Sequence, residues 1–439
     1  MFIDDFNQFP GSEGGIEPPE GGGLVIDGEL RPSPNLQKKI VTARRERWAL
    51  KWHADQLRAG ILATTPSDTA ENRAFRKKFI YPRRCHRGRR FTGFDQNGNR
   101  VYSDWTINYS NELHKAFHQG QETCGSVWQC PVCAAKIAER RRIELQEAMN
   151  NAKQMGLTVL MLTLTVRHGM GDDVNDILKK MLKALAAIMS GRKGEAIRKQ
   201  IGKVGHVRVL EVTHGSNGFH PHFHILLFIE KPVPAKVVED LFAQYWIDQC
   251  VKAGLPVPVR EIACNVQSGD KAQNYISKWG MIDEMTRGHI KKGRAAEGAD
   301  GGAAGRTPWQ LLDDSRNGDP VAGKLFIVYA AAFYNKRQLV WSRGLRDLLG
   351  LDKQMSDQEI VDAPDDVKAT PIVTLQDHQI NVLIKMKLLD KVLEVCEKDF
   401  LLLQDYIDNV TNMYYNENKR ERRLWVTQAI HEMGGYNDD

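Results

Sequence analysis

At 439 residues the chain is long enough for two or three domains and a full-sized buried core, and its 61 basic against 55 acidic residues leave a net charge of only +6. Bulk charge therefore excludes little, but no run is apolar over the roughly 18 residues a membrane span needs, and the acidic start Met1-Phe2-Ile3-Asp4-Asp5 lacks the features of a secretory signal. Seven unevenly spread cysteines argue against a secreted disulfide scaffold, so a soluble cytoplasmic protein that does not engage a membrane is expected.

In chain order, residues 1–33 are expected to be a disordered tail, because the Pro- and Gly-rich stretch 10–23 cannot bury enough apolar surface to offset its entropy. Helical spacing follows over 34–78, then a basic, cysteine-bearing stretch to 142. Between Arg73 and Arg90 there are nine Lys or Arg and no acid, and a second run is Arg140-Arg141-Arg142. Two such blocks flanking cysteines point to a phosphate-backbone partner, although either alone also reads as a solvated face. Residues 143–155 read as a helix leading into a strand over 157–166. An amphipathic helix is predicted over 173–190, with Ile177, Met181, Leu182, Leu185 and Ile188 on its apolar face.

Two β-rich runs, 204–212 and 219–229, surround Thr213-His-Gly-Ser-Asn-Gly218 and predict a hairpin. Beyond it the pattern gives a helix over 232–254, a strand over 257–266, a helix over 271–279 and a Gly/Ala-rich loop over 291–305. Helices follow within 308–350, and a long periodic helical region spans 376–425, suited to packing or to homo-oligomerisation. The expected fold is α+β: an antiparallel central sheet flanked by helices, with a small zinc-binding module and a helical C-terminal region. The expected divisions are 1–33, 34–142, 143–350 and 351–439.

The hairpin carries the chemistry. Side chains of an extended chain alternate faces, so His220, His222 and His224 share one. With the turn centred on Ser216-Asn217, Glu211 lies opposite His222 and Val209 opposite His224, which brings Glu211 within ligand reach of the imidazoles. Two neutral imidazoles plus a carboxylate, with positions left open, suit a divalent ion that also holds a phosphate oxygen. A one-residue slip would send Glu211 to the other face. His220 precedes Pro221 at the strand entrance and stands apart from the pair.

Cys124, Cys130 and Cys133 follow a C-x5-C-x2-C spacing, with Cys85 upstream. Four thiolates, or three and an imidazole, close a tetrahedral structural Zn²⁺ site. Cys85 is taken as the fourth ligand, with His86, His114 and His118 competing.

In the stretch 270–279, Tyr275 and Lys278 sit three apart and would share one face of a helix. A tyrosine attacking a phosphodiester conserves the bond energy, so a cut strand can later be rejoined. Leu162-Thr-Leu-Thr-Val166, then His222-Phe223-His224, then Tyr275 with Lys278 occur in the order seen in HUH endonucleases. In detail the chain resembles the plasmid rolling-circle replication initiators with a single catalytic tyrosine. Cys130-Pro-Val-Cys133, Thr307-Pro-Trp-Gln-Leu-Leu312 and Arg337-Gln-Leu-Val-Trp-Ser-Arg-Gly-Leu345 extend the resemblance, which covers roughly residues 80–350.

The resemblance implies an HUH-type sheet, Mg²⁺ or Mn²⁺ on His222 and His224, and a strand-specific nick in single-stranded or hairpin origin DNA. It also implies a 5′-phosphate link to Tyr275 and a free 3′-hydroxyl for a host polymerase, with a helicase opening the duplex. Some members carry a glutamate one helical turn before the tyrosine; here that position is Lys271, with Asp270 one residue further back. Asp270, a carboxylate elsewhere, or a second subunit's tyrosine would then serve the terminating cleavage. A transposase or mobilisation relaxase would use the same site on another substrate, and a zinc-dependent DNA-binding regulator would use only the cysteine module.

Overall fold

The computed structural model describes residues 24–26, 29–31, 34–268 and 305–416. Its architecture is α+β, with antiparallel sheets flanked by helices, as the sequence suggests. The largest sheet has five strands in the order β10-β7-β9-β8-β11, where β7 is Thr158–Leu164, β8 Lys203–Gly215, β9 Gly218–Ile229, β10 Cys264–Gln267 and β11 Leu339–Trp341. Every neighbouring pair is antiparallel. A hairpin sits inside the stretch expected as a tail, β1 (Leu24–Ile26) pairing with β2 (Glu29–Arg31), and a second pairs β3 (Phe91–Phe94) with β4 (Arg100–Tyr102).

Alternation decides what lies on each face. Leu160, Leu162 and Leu164 of β7, Leu210 and Val212 of β8, and Phe223, Ile225 and Leu227 of β9 point one way. They pack against helices Val174–Ser190 and Ala235–Lys252 in the main core. The opposite face carries Val159, Met161, Val207, Val209, Leu226 and Phe228. Leu145, Ala148 and Ala152 of the helix Pro131–Gln154 cover these, together with Leu345, Leu349 and Leu351. That cover stops short of the turn end of the hairpin, where the same face presents Thr163, Glu211, His222 and His224, all only partly buried. An apolar lower half and a polar, partly buried upper half on one face follow directly from β9's sequence, with histidines at its start and aliphatics at its end.

A second core joins distant parts of the chain. Strand β5 (Trp105–Ser110) lies between β6 (Lys115–Gln119) and β12 (Thr370–Leu375). Trp48 and Trp52 from the first long helix, Pro34–Thr64, bury against Trp105, Leu375, Leu383, Leu389 and Val392. Within its described residues, the periodic helical region over 376–425 is divided among the helices Asp377–Lys385, Leu389–Lys398 and Leu403–Asn416. Lys387 takes a positive φ of 58°, which turns the chain between the first two. Likewise the strand read over 257–266 is a short helix, Arg260–Ala263, followed by β10.

The basic runs are largely spent internally. Arg84 pairs with Glu122, Arg87 with Asp55, Arg89 with Asp377 and Arg90 with Asp362. Arg141 is buried against Glu144 and Asp357, and Arg142 pairs with Glu139. Two of the three arginines in that run are therefore engaged by carboxylates on or beside their own helix.

The two ends of the second core are tied by a buried bidentate pair, Arg44 Nη1 and Nη2 to the two Glu397 carboxylate oxygens at 2.6 and 2.7 Å. Glu397 also accepts from the Ala116 backbone N–H at 3.0 Å. Glu397→Ala would strand a buried cation and a buried N–H, and should cost about 3–5 kcal/mol in denaturant unfolding. Replacing both partners with methionine should cost markedly less, because no buried charge is left unpaired.

Candidate metal centres

The hairpin register is the one expected. Glu211 pairs with His222 and Val209 with His224 across β8 and β9, with Gly215 opposite Gly218 closing a two-residue turn. Gly218 has a φ of 86°, and an added Cβ would meet the Gly169 carbonyl oxygen at 3.1 Å. Glycine at this position both permits the turn and lets the loop after β7 lie against it.

One carboxylate oxygen of Glu211 and one ring nitrogen from each of His222 and His224 lie within 4.8 Å of one another. Glu211 Oε2 is 3.3 Å from His222 Nε2 and 3.5 Å from His224 Nε2. Second contacts orient both rings. His222 Nδ1 lies 3.2 Å from the His220 carbonyl oxygen, which can only accept, so Nδ1 carries the proton. In the neutral ring the Nε2 lone pair then faces the Glu211 carboxylate. Two acceptor atoms at that separation require a proton or a cation between them, and this donor set fits a divalent ion. His224 Nδ1 is 3.0 Å from Thr163 Oγ1, its cross-strand neighbour on β7. Burial alone would raise the Glu211 carboxyl, but the two facing imidazoles, His222 and His224, hold it well below the usual carboxylate range.

His220 belongs to a different pair. Its Nδ1 is 3.3 Å from His168 Nδ1, on the loop after β7, and burial together with His222 and His168 pushes its pKa down to about 3. Sequence reading missed Thr163 and His168. Thr163 was legible in principle, as the polar position that alternation places on the histidine face of an otherwise aliphatic strand. His168 was not, because its approach depends on how the loop folds back.

Four cysteines converge at the second centre. Cys85 Sγ is 3.8 Å from Cys130 Sγ and 3.5 Å from Cys133 Sγ, and Cys124 Sγ is 3.8 Å from Cys133 Sγ. A tetrahedron with Zn–S bonds of about 2.3 Å has S–S edges of about 3.8 Å, so the sulfurs already sit near its corners. The Cys124 backbone N–H also points at Cys85 Sγ, at 3.3 Å. Hydrogen bonds from Cys124, Cys133 and Cys85 hold the Cys130 thiol well below its ordinary range, while burial pushes Cys85 up.

Among the competing imidazoles, His118 is excluded because its Nδ1 accepts from Trp105 Nε1 and its Nε2 meets the Leu389 carbonyl. His114 lies in the turn between β5 and β6, outside the cluster. His86 lies within 4.8 Å of Cys85, Cys130 and Cys133, with both ring nitrogens buried and lacking a hydrogen-bond partner. Burial pushes its pKa down to about 3, so it is a neutral imidazole. Cys124 and His86 thus both reach the fourth corner.

Tyr275, Lys278 and Asp270 lie outside the described residues. The flanks of their segment are placed: Gln267 pairs with Met161 on β7, and Arg306 bridges His214 on β8. These are the strands on either side of β9.

A family model described as "Replication protein" matches residues 115–380, well over half of the chain. The match runs from β6 into the first turn of the helix Asp377–Lys385, and so takes in the histidine hairpin and three of the four clustered cysteines. The chain belongs to this family of replication proteins. Its relatives include a protein rep of Streptomyces lividans, 34% identical over 137 residues, covering 25% of this chain and 30% of the relative. A protein rep of Staphylococcus aureus is 29% identical over 124 residues, 27% of this chain and 51% of that one. The chain thus spans between 30% and 51% of these relatives' length. No solved structure matches.

Thr163→Val keeps the strand's shape and removes the hydroxyl that orients His224. It should weaken Mn²⁺ binding at the hairpin about 10–100-fold, read by calorimetry, with the zinc content unchanged.

Proposed function

We propose that this chain initiates replication by cutting one DNA strand at an origin, with Tyr275 as the attacking group. The observation that carries the proposal is the convergence of Glu211, His222 and His224, with both imidazole Nδ1 atoms engaged elsewhere, in a member of a replication protein family. An antiparallel sheet bearing paired histidines on its central strand is the HUH-type arrangement the sequence resembles.

Mg²⁺ or Mn²⁺ held by these three side chains would polarise the scissile phosphate. Tyr275 then supplies the nucleophile: its phenolic oxygen bonds to phosphorus as the P–O3′ bond breaks, the phenol gives up its proton, and the 3′ oxygen takes one up. The 5′ end stays on the protein and the 3′-hydroxyl is free to prime a host polymerase, with a helicase clearing the strand ahead. Lys278 steadies the phosphate charge. Attack of a 3′-hydroxyl on the phosphotyrosine reverses the step and rejoins the strand. Asp270 is the proposed stand-in for the missing glutamate, activating water at termination. The flanks of the tyrosine's segment support this assignment, since both are held on strands bordering β9.

The cysteine centre is read as a closed structural zinc site on Cys85, Cys124, Cys130 and Cys133, because the three S–S separations match tetrahedral edges. Among the described residues no helix is long and apolar enough to cross a membrane.

Incubation with single-stranded origin DNA and Mn²⁺ should give a protease-sensitive 5′-linked adduct whose mass maps to Tyr275. Tyr275→Phe should abolish it, and His222→Ala with His224→Ala should lower its rate by at least 100-fold. An adduct formed equally well by Tyr275→Phe would sink the assignment. For the zinc centre, Cys124→Ser should lose the metal and His86→Ala should retain it, measured by elemental analysis of the purified protein.

A further inference from the structure

A cavity of about 770 Å³ lies beside the cysteine cluster and away from the histidine hairpin. It is walled by the helices Pro34–Thr64 and Pro131–Gln154, strand β6 and the segment Ile360–Asp365. Its size falls within the range of small-ligand sites. Most of the lining is apolar or aromatic, with Trp48, Phe117, Val132, Trp309 and Val361 among the walls.

The polar groups in these walls are unusually incomplete. Arg44 Nε and Gln121 Oε1 are buried and have no hydrogen-bond partner, although Arg44 is only 6% exposed and Gln121 only 8%. The remaining atoms of both are used: Arg44's two terminal nitrogens hold Glu397, and Gln121 Nε2 donates to the His118 carbonyl. Buried groups of this kind are normally paired, and leaving them so is costly.

Charge adds a third requirement. Lys115 and Lys136 both bind Asp365, and Arg140 leans on Glu144. Arg47, one turn from Arg44 and also lining the cavity, has no carboxylate partner among the described residues. Burial and the neighbouring Arg44 lower its pKa only to about 10, so it stays a cation at neutral pH.

An occupant must therefore offer an anion to Arg47, an acceptor to Arg44 Nε and a donor to Gln121 Oε1, on a flat body that suits apolar and aromatic walls. A fatty acid meets the first need and leaves Gln121 orphaned; inorganic phosphate cannot fill the space. We propose that this cavity binds a single nucleotide, its phosphate on Arg47 and its base edge on Arg44 Nε and Gln121 Oε1. The same chemistry is offered by a free mononucleotide and by one nucleotide turned out of a DNA strand.

The test uses the full, zinc-loaded chain and two sources of the ligand. Each deoxyribonucleoside monophosphate is titrated calorimetrically, and in parallel a single-stranded oligonucleotide carrying 2-aminopurine is followed by fluorescence. Saturable binding of a monophosphate, weakened at least tenfold by Arg47→Gln, assigns the site to free nucleotide. No monophosphate binding, with a 2-aminopurine signal that Arg47→Gln removes, assigns it to a strand. No Arg47-dependent signal from either source overturns the proposal.

Ala135→Trp, which fills the cavity from its wall, should abolish binding in either case, and unchanged binding would refute the site. Should a variant fail to fold, photolabelling of the wild type with an azido-deoxynucleotide decides, since labelled peptides must include residues 44–48 or 117–143. Tyr275 adduct formation is scored in the same samples. Cleavage without nucleotide capture overturns this inference alone, and capture without cleavage overturns only the nicking role.

Discussion

Everything at the candidate active centre depends on where β9 sits. It is the middle strand of five, so its backbone is held on both edges, by β7 through Thr163 opposite His224 and by β8 through Glu211 opposite His222. A side chain on such a strand cannot drift. A slip of one residue would put the imidazoles into the core in place of Phe223, Ile225 and Leu227 and move those to the polar face, which the packing forbids. The hydrophobic core on one side of the sheet is therefore what fixes the polar geometry on the other. The Gly218 turn and the loop lying against it add a local constraint to the same end.

The two proposed metal centres are built on contrasting principles. At the hairpin, three groups are partly buried, and the Nδ1 atoms of the two imidazoles are engaged by a carbonyl and a hydroxyl. Such a site holds an ion while leaving coordination positions for a substrate. At the cysteine cluster every sulfur is buried and the fourth corner has two candidates. The cluster brings Cys85 to the start of the helix Pro131–Gln154, and a metal closed off there would serve stability.

Much of the hairpin was legible because its signals are local: alternation of two, a Gly/Asn turn and the chemistry of imidazole. The α+β class and the Cys85 partnership were also readable, since ligand type and spacing carry them. What could not be read depended on distant parts of the chain. Nothing near Trp48 or Trp105 announces that Leu375 and Val392 will cover them, and nothing in the arginine runs shows that Glu122, Asp55 and Asp377 will neutralise them. The helical periodicity after residue 376 shows helix but not where one helix ends, because periodicity survives a turn. Lys387 breaks it through backbone conformation, which side-chain pattern does not reveal. His168 reaches His220 by the same kind of loop geometry.

The pairing of Arg44 with Glu397 spans 353 residues, and β12 must find β5 across a comparable stretch. Closing so wide a loop is entropically expensive before any contact rewards it, so topologies of this kind assemble slowly. During synthesis the first long helix would leave the ribosome with Trp48 and Trp52 uncovered, and would stay so until the far strand emerged. Over that interval, greasy surface and an unpaired β5 edge stand open to other nascent chains, which makes holding chaperones a natural requirement for this protein's yield.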